Sequence, residues 1–240
     1  MRRSLVLVSL LATGCSKLLG FDDFSPGDGS GSGSGSGSDD ADITIDAPPG
    51  TIALTGHVVA RDGTAVVGIL VDMADRNGQD LHAEAVTDGE GNFTVFAPVP
   101  QVTVDGYLHL SSPSYLETYV HLPGPTSQAL SFDVLMLRPG DLVQIRNEAG
   151  VAPVASTGTM IVDAGASGRM VEYDPSASGV IRYFDASGAV SPTATSTSAQ
   201  GRAIALNLPD DFYYPRIVGT VNPRGYSIGP DTVAQVIVAP

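Results

Sequence analysis

Short runs in which hydrophobic and polar residues alternate follow one another from Ile52 onward, and this period of two predicts β-strands. Ile52–Arg61 (IALTGHVVAR) is the first run, and the tight-turn sequence Arg61–Thr64 (RDGT) ends it. The predicted strands are Ile52–Arg61, Val66–Ala74, Leu81–Thr87, Thr94–Phe96, Val102–Leu110, Tyr115–Leu122 and Phe132–Leu137. Seven short antiparallel strands in about 90 residues indicate a β-sandwich over residues 51–138.

The alternation of hydrophobic and polar residues stops at Pro139–Ala149 (PGDLVQIRNEA). Leu142, Ile145 and Ala149 there fall on one face of a predicted helix, which Gly150 ends. Further strands are predicted at Thr157–Asp163, Arg169–Tyr173, Gly179–Phe184, Arg202–Leu208, Tyr213–Val221 and Thr232–Val238. We therefore predict an all-β fold of two tandem antiparallel sandwiches, the second over residues 151–240, joined by a helical connector at 139–150. A single elongated domain is the alternative.

The N-terminus has the pattern of an export signal. Arg2 and Arg3 precede the apolar run Ser4–Ala12, which is too short for a membrane-spanning helix of about 20 residues. Cys15, the only cysteine, follows directly. The segment resembles the lipobox of bacterial lipoproteins, which implies removal of residues 1–14 and lipidation of Cys15. The alternative is an ordinary exported protein with one unpaired cysteine.

Residues 15–50 are rich in glycine, serine and aspartate, including the repeat Gly29–Ser38 (GSGSGSGSGS). They contain too few apolar side chains to offset the entropy of folding, so we predict a disordered, lipidated tether. The formal net charge of the whole sequence is −14. This acidity argues against nucleic acid as a partner and leaves the lipid as the predicted contact with the membrane.

The first predicted sandwich contains a set of motif residues: a G-x-V opening, a D-x-G turn and a T-D-x-x-G-x-F segment. These residues are Gly56, Val58, Asp62, Gly63, Gly68, Thr87, Asp88, Gly91 and Phe93. The pattern resembles the carboxypeptidase regulatory-like domain, which implies a transthyretin-like sandwich that is usually non-catalytic. The segment 183–214 looks like a degenerate second copy. The whole arrangement is similar to predicted lipoproteins of myxobacteria and their relatives.

Two pairs of residues form the candidate binding site. Tyr107 and His109 share one face of their strand by alternation, and Tyr119 and His121 share one face of the next. If the strands pair, these side chains form a polar-aromatic patch suited to a sugar or a peptide, because aromatic rings cover apolar ligand surface and histidine offers a hydrogen bond. The alternative is an ordinary solvent-exposed sheet face. No motif for a catalytic residue, metal or cofactor is present, and a calcium site at Asp88 is weaker than a simple turn.

The sequence therefore predicts a non-enzymatic lipoprotein of the outer membrane, on either its periplasmic or its outer face, that binds a glycan or an envelope protein. An accessory subunit of an envelope complex is the alternative. A hydrolase with an unrecognised site is a third hypothesis, which a deep pocket with two close carboxylates or a His–Asp pair would support.

Overall fold

The computed structural model describes residues 47–99, 103–176, 179–222 and 224–238. The predicted signal peptide, Cys15 and nearly all of the predicted tether lie outside the described residues. Among the described residues, no helix combines the length and the apolar content needed to cross a membrane.

Seven strands precede the helix, as the alternation predicts, although their ends differ by a few residues. They are β1 (Thr51–Ala60), β2 (Leu70–Asp75), β3 (Asp80–Val86), β4 (Asn92–Pro98), β5 (Gly106–Ser111), β6 (Thr118–His121) and β7 (Leu130–Met136). The helix α1 (Pro139–Ala149) buries the predicted Leu142, Ile145 and Ala149. Pro139 starts it and Gly150, in the left-handed conformation, ends it.

Eight strands follow the helix, and two of them, β11 and β14, are absent from the sequence prediction. The strands are β8 (Gly158–Asp163), β9 (Val171–Asp174), β10 (Val180–Phe184), β11 (Val190–Ser191), β12 (Arg202–Leu208), β13 (Asp211–Ile217), β14 (Tyr226–Ile228) and β15 (Val233–Ile237). The described chain is thus mostly β-sheet with a single helix.

A nine-stranded sheet in the order β11-β10-β12-β8-β15-β6-β5-β2-β3 forms the middle layer. Its central strand, β15, runs parallel to both neighbours, pairing Ala234 with Tyr119 of β6 and with Met160 of β8. Val233, Ala234 and Val236 are all buried, which is typical of a central strand covered on both faces.

One face of this sheet is covered along its whole length. The three-stranded sheet β4-β1-β7 packs over the β2, β3, β5 and β6 half, and its core includes Leu54, Phe93, Val134 and Leu108. Helix α1 packs over the other half through Ile145, against strand residues that include Ile161, Ile204 and Val233.

The opposite face is covered only in part. A second three-stranded sheet, β14-β13-β9, packs over the β8, β12 and β15 half through residues that include Tyr213 and Ile228. The outward positions of β2, β3, β5 and β6 are largely uncovered: Leu70 and Val86 are 40% and 60% exposed, while His121, at the end of β6, contacts Tyr226 of β14. This uncovered half-face is where the predicted patch lies.

The structure does not confirm two tandem sandwiches. The nine-stranded sheet takes strands from both predicted domains, and residues 44–240 form one compact unit. Helix α1 lies at the predicted residues, but it packs as a covering layer on strands from both sides of the chain, so its role as a connector is not confirmed. The physical reason is β15, whose parallel pairing with β6 and β8 joins the two segments edge to edge.

Three turns repeat one hydrogen-bonded design around an aspartate. In each, one carboxylate oxygen accepts hydrogen bonds from the backbone N–H groups two and four residues later, at 2.8–3.1 Å. The aspartates are Asp75, Asp88 and Asp185, each followed three residues later by a glycine with positive φ. These hydrogen bonds lower the pKa of the Asp75 and Asp88 carboxyl groups, and at Asp185 the hydroxyl of Ser187 contributes most to the lowered pKa, followed by the backbone N–H groups. This geometry confirms the prediction that Asp88 forms a turn.

A polar side chain ties two layers together inside the core. Gln235 of β15 is only 2% exposed. Its Oε1 accepts a hydrogen bond from the Leu135 N–H at 3.1 Å, and its Nε2 donates one to the Asp133 carbonyl at 2.7 Å. Strand β7 is an edge strand of its sheet, so Gln235 satisfies backbone groups that a neighbouring strand would otherwise meet.

Candidate functional site

The four predicted patch residues lie together on the uncovered half-face. Strands β5 and β6 pair in antiparallel fashion, with Tyr107 opposite His121 and His109 opposite Tyr119. The intervening Leu108 and Val120 are fully buried on the other face. The predicted alternation is therefore observed, and we call these four residues the ring row. Ligand binding by the ring row stays a prediction.

The rings contact one another closely. His109 stacks on Tyr119 with ring centroids 4.9 Å apart, and Tyr107 meets Tyr119 edge to face at 5.6 Å. The centroids of Tyr107 and His121 are 5.5 Å apart. The phenol of Tyr119 donates a hydrogen bond to Glu117, and partial burial together with that carboxylate raises the pKa of Tyr119 to about 12. The row is therefore a connected aromatic surface whose Tyr119 phenol stays protonated at neutral pH.

A His–Asp pair is present, at His109 Nδ1 and Asp72 Oδ2, 3.1 Å apart. The two residues are cross-strand neighbours on β5 and β2. The other ring nitrogen of His109, Nε2, is buried and has no hydrogen-bond partner in the described part of the chain. A general base must reach the nucleophile that it activates, and among the described residues no serine or threonine hydroxyl is hydrogen-bonded to either ring nitrogen of His109. The contact with Asp72 thus holds the imidazole of His109 in its stack with Tyr119.

His121 lies where the small sheet meets the ring row. Its ring contacts Tyr226 of β14 edge to face, with centroids 4.9 Å apart. Burial lowers the pKa of His121 to about 4, and the nearby Arg224 guanidinium contributes while Asp105 opposes it. The imidazole is therefore neutral at pH 7, which removes the cost of burying a charge at this position.

Two clefts of similar size flank the Tyr107–His121 pair. The first, about 250 Å³, lies between the β2–β3 turn and the β13–β14 hairpin. The residues that line it include Arg76, Tyr107, His121, Phe212, Arg224 and Tyr226. The second, about 240 Å³, is lined by Tyr107, Tyr119, His121, Ser227, Gly229 and Thr232. Ser227 lines both clefts, so they adjoin along β14.

Sequence reasoning missed the residues that complete this site. Arg224 forms an ion pair with Asp105, 2.5 Å between Nη2 and Oδ1, and this pair links the β13–β14 loop to the strand region before β5. Phe212, on β13, is 58% exposed. These residues reach the ring row from more than ninety positions away in the chain, and no local pattern marks such a contact.

Larger clefts lie elsewhere in the described part of the chain, and their lining differs from that of the two clefts beside the ring row. Two adjoining clefts of about 370 and 400 Å³ share Arg61, Asp62 and Ser187. Arg61 there is hydrogen-bonded to Glu148, and Arg202 pairs with Asp163. No exposed aromatic side chain lines either cleft. Within the described ranges, no group of three or more histidine, cysteine, aspartate or glutamate side chains is arranged to hold a metal ion.

Comparisons with known proteins do not assign a family. No protein-family model and no curated protein matches the sequence. A shaft pilin of Lactobacillus rhamnosus GG is 11% identical, with a TM-score of 0.27 over 79% of this chain and 98% of the pilin. The major pilin subunit of Bacillus cereus is 10% identical, with a TM-score of 0.29 over 78% of this chain and 99% of the pilin.

A 3-chlorocatechol 1,2-dioxygenase from Rhodococcus opacus is 15% identical with a TM-score of 0.29. The match covers 39% of this chain and 62% of the dioxygenase chain. At such identities and TM-scores these likenesses do not define a common fold. The functional argument therefore depends on the residues of this chain.

Proposed function

We propose that this protein is a lipid-anchored, non-catalytic envelope protein that binds a glycan on the uncovered half-face of its large sheet. The observation that carries the proposal is the pair of adjoining clefts beside the ring row. They expose tyrosine rings next to hydroxyl groups, and such a surface suits a sugar, whose ring has apolar faces and a rim of hydroxyls.

The chemistry at the site favours binding over catalysis. Among the described residues no hydroxyl is hydrogen-bonded to His109, and the neutral His121 is packed against Tyr226. The ring row is supported from below by fully buried strand residues such as Leu108 and Val120, so the rings are held on a rigid sheet. A preorganised surface of this kind reduces the entropy lost when a ligand binds.

The first test is on the rings. We expect Tyr107→Ala to weaken glycan binding at least tenfold, because Tyr107 lines both clefts. The measurement is a glycan array followed by calorimetry on the best binders, with the purified full-length protein in detergent. Phe96→Ala is the matched control, since Phe96 is a 37% exposed ring on β4, a strand of the sheet that covers the other face.

Circular dichroism checks that each variant folds. Equal losses for Tyr107→Ala and Phe96→Ala would contradict a site at the ring row. A wild-type protein that binds no glycan on the array would overturn the glycan assignment itself.

The second test concerns the localisation of the protein. We expect Cys15→Ser to move the protein from the membrane fraction to the soluble fraction, because one residue carries the whole proposed anchor. Protease treatment of intact cells then distinguishes the two membrane faces: cleavage of the wild-type protein places it outside, and protection places it in the periplasm. Unchanged membrane association in Cys15→Ser would refute the lipoprotein reading.

A second candidate function is an accessory subunit of an envelope complex. The observation in its favour is the cross-strand pair Leu70–Val86, which exposes apolar surface on the same half-face. Crosslinking in cells followed by Val86→Asp separates the two functions, since a protein partner would be lost while glycan binding at the ring row would not change.

A further inference from the structure

We infer that the two clefts bind two different sugar units of one polysaccharide. The first cleft binds an acidic sugar through Arg76, and the second binds a neutral sugar. The ligand class is therefore a polysaccharide in which a uronic acid alternates with an uncharged sugar. This inference rests on the proposed glycan-binding function and goes further by assigning charge to each cleft.

The first cleft contains an arginine whose charge is not balanced by an ion pair with any described residue. Arg76 is exposed, and its side chain has no hydrogen bond or ion pair with any described residue. The other arginine of the cleft, Arg224, is paired with Asp105. A guanidinium binds a carboxylate through two parallel hydrogen bonds, which gives both strength and orientation. Arg76 is thus the group that selects a carboxylate.

The acidic residue nearest in sequence to Arg76 is already engaged. Asp75 uses one carboxylate oxygen to accept hydrogen bonds from the N–H groups of Asn77 and Gln79, both at 2.8 Å, and the other to accept one from the Asn77 side chain. These bonds hold the turn that carries Arg76, so the arginine is presented from a fixed loop over the cleft. Asp105 is likewise committed to Arg224.

Aromatic rings supply the walls of the first cleft. Tyr107 of β5 and the 58% exposed Phe212 of β13 both line it. A sugar ring packed against these rings buries its apolar face and leaves its carboxylate and hydroxyls at the rim, where Arg76 stands. A free acidic ion would gain nothing from these walls, so the cleft is suited to a carboxylate carried on a ring.

The second cleft has no charged side chain in its lining. Its polar groups include the hydroxyls of Tyr107 and Ser227 and the neutral imidazole of His121. The hydroxyls of Tyr119 and Thr232 donate to Glu117 and to the Gly229 carbonyl, so they face a ligand as acceptors. Hydroxyls both donate and accept, which matches the hydroxyls of an uncharged sugar. The clefts are nearly equal in volume and adjoin at Ser227, so they suit consecutive rings of one chain better than two unlike peptide side chains.

The test uses hyaluronan hexasaccharide, in which glucuronate alternates with an uncharged amino sugar, and the same hexasaccharide with its carboxylates converted to methyl esters. Calorimetry with the full-length protein in detergent is expected to give a dissociation constant at least tenfold lower for the acid than for the ester. Arg76→Gln is expected to abolish that difference by weakening acid binding alone. Arg169→Gln is the control, because Arg169 lies outside both clefts and forms no ion pair among the described residues.

The outcomes separate this inference from the function on which it rests. Equal binding of acid and ester, or an acid preference that survives in Arg76→Gln, would overturn the charge assignment and leave glycan binding intact. Preference for a purely uronic polymer over the alternating one would overturn the neutral assignment of the second cleft. Absence of binding to every glycan, on the array as well as here, would refute the proposed function and this inference together.

Discussion

Replacing Phe93 by alanine is expected to lower the free energy of unfolding by about 3–5 kcal/mol. The ring is 4% exposed and lies in the core between β1–β4–β7 and the large sheet. It sits directly across from Gly56 on the neighbouring strand, and a Cβ added to Gly56 would lie 2.4 Å from the ring. The glycine therefore provides the space that the phenylalanine fills, and alanine leaves a cavity at that point.

Urea denaturation of Phe93→Ala measures this effect, with Phe96→Ala as the control on the same strand. Phe96 is 37% exposed, so its removal is expected to cost no more than about 1 kcal/mol. The double variant Gly56→Ala/Phe93→Ala adds a second check. Its loss should be smaller than the sum of the two single losses, because the new methyl group occupies part of the cavity. Additive losses would contradict the proposed sharing of space.

Replacing Gln235 by glutamate is expected to cost about 3–5 kcal/mol at neutral pH. The carboxylate keeps the acceptor for the Leu135 N–H, but it cannot donate to the Asp133 carbonyl and it places a charge where the side chain is 2% exposed. Gln235→Leu is expected to cost less, about 2 kcal/mol, because it buries no charge and the Asp133 carbonyl retains its hydrogen bond from Arg202.

The pH dependence identifies the cause. Burial raises the pKa of the introduced glutamate in the folded state above its unfolded value of about 4.3. The folded state then binds its proton more tightly, so the deficit relative to wild type is smallest below about pH 4 and grows as the pH rises through the folded pKa. Gln128→Glu, at an exposed position, is the control and should show neither the loss nor the trend. A pH-independent deficit in Gln235→Glu would indicate a packing defect in place of a buried charge.

Local patterns predicted the strands and the helix well, because alternation and capping act within a few residues. The helix at Pro139–Ala149 and the strand Arg202–Leu208 have the predicted bounds. The ring row was predictable for the same reason, since residues two apart on a strand share a face. Strand β14, only three residues long in a stretch rich in glycine and proline, has no periodicity to detect.

The order of strands could not be predicted, because it depends on long-range pairing. Nothing in Val233–Ile237 indicates that this strand inserts in parallel between β6 and β8. Without that knowledge the chain reads as two domains. The first cleft could not be predicted from the sequence for the same reason. Arg76 and Phe212 both line it only because the β14-β13-β9 sheet packs on the large sheet.

The position of β15 has a consequence for biosynthesis. The strand at the centre of the nine-stranded sheet comes after every other described strand in the chain. A ribosome therefore releases the two halves of the sheet before it releases the strand that joins them, and the sheet cannot close on a nascent chain that lacks residues 233–237. The two halves of the large sheet therefore stay unjoined in the growing chain until residues 233–237 have been made.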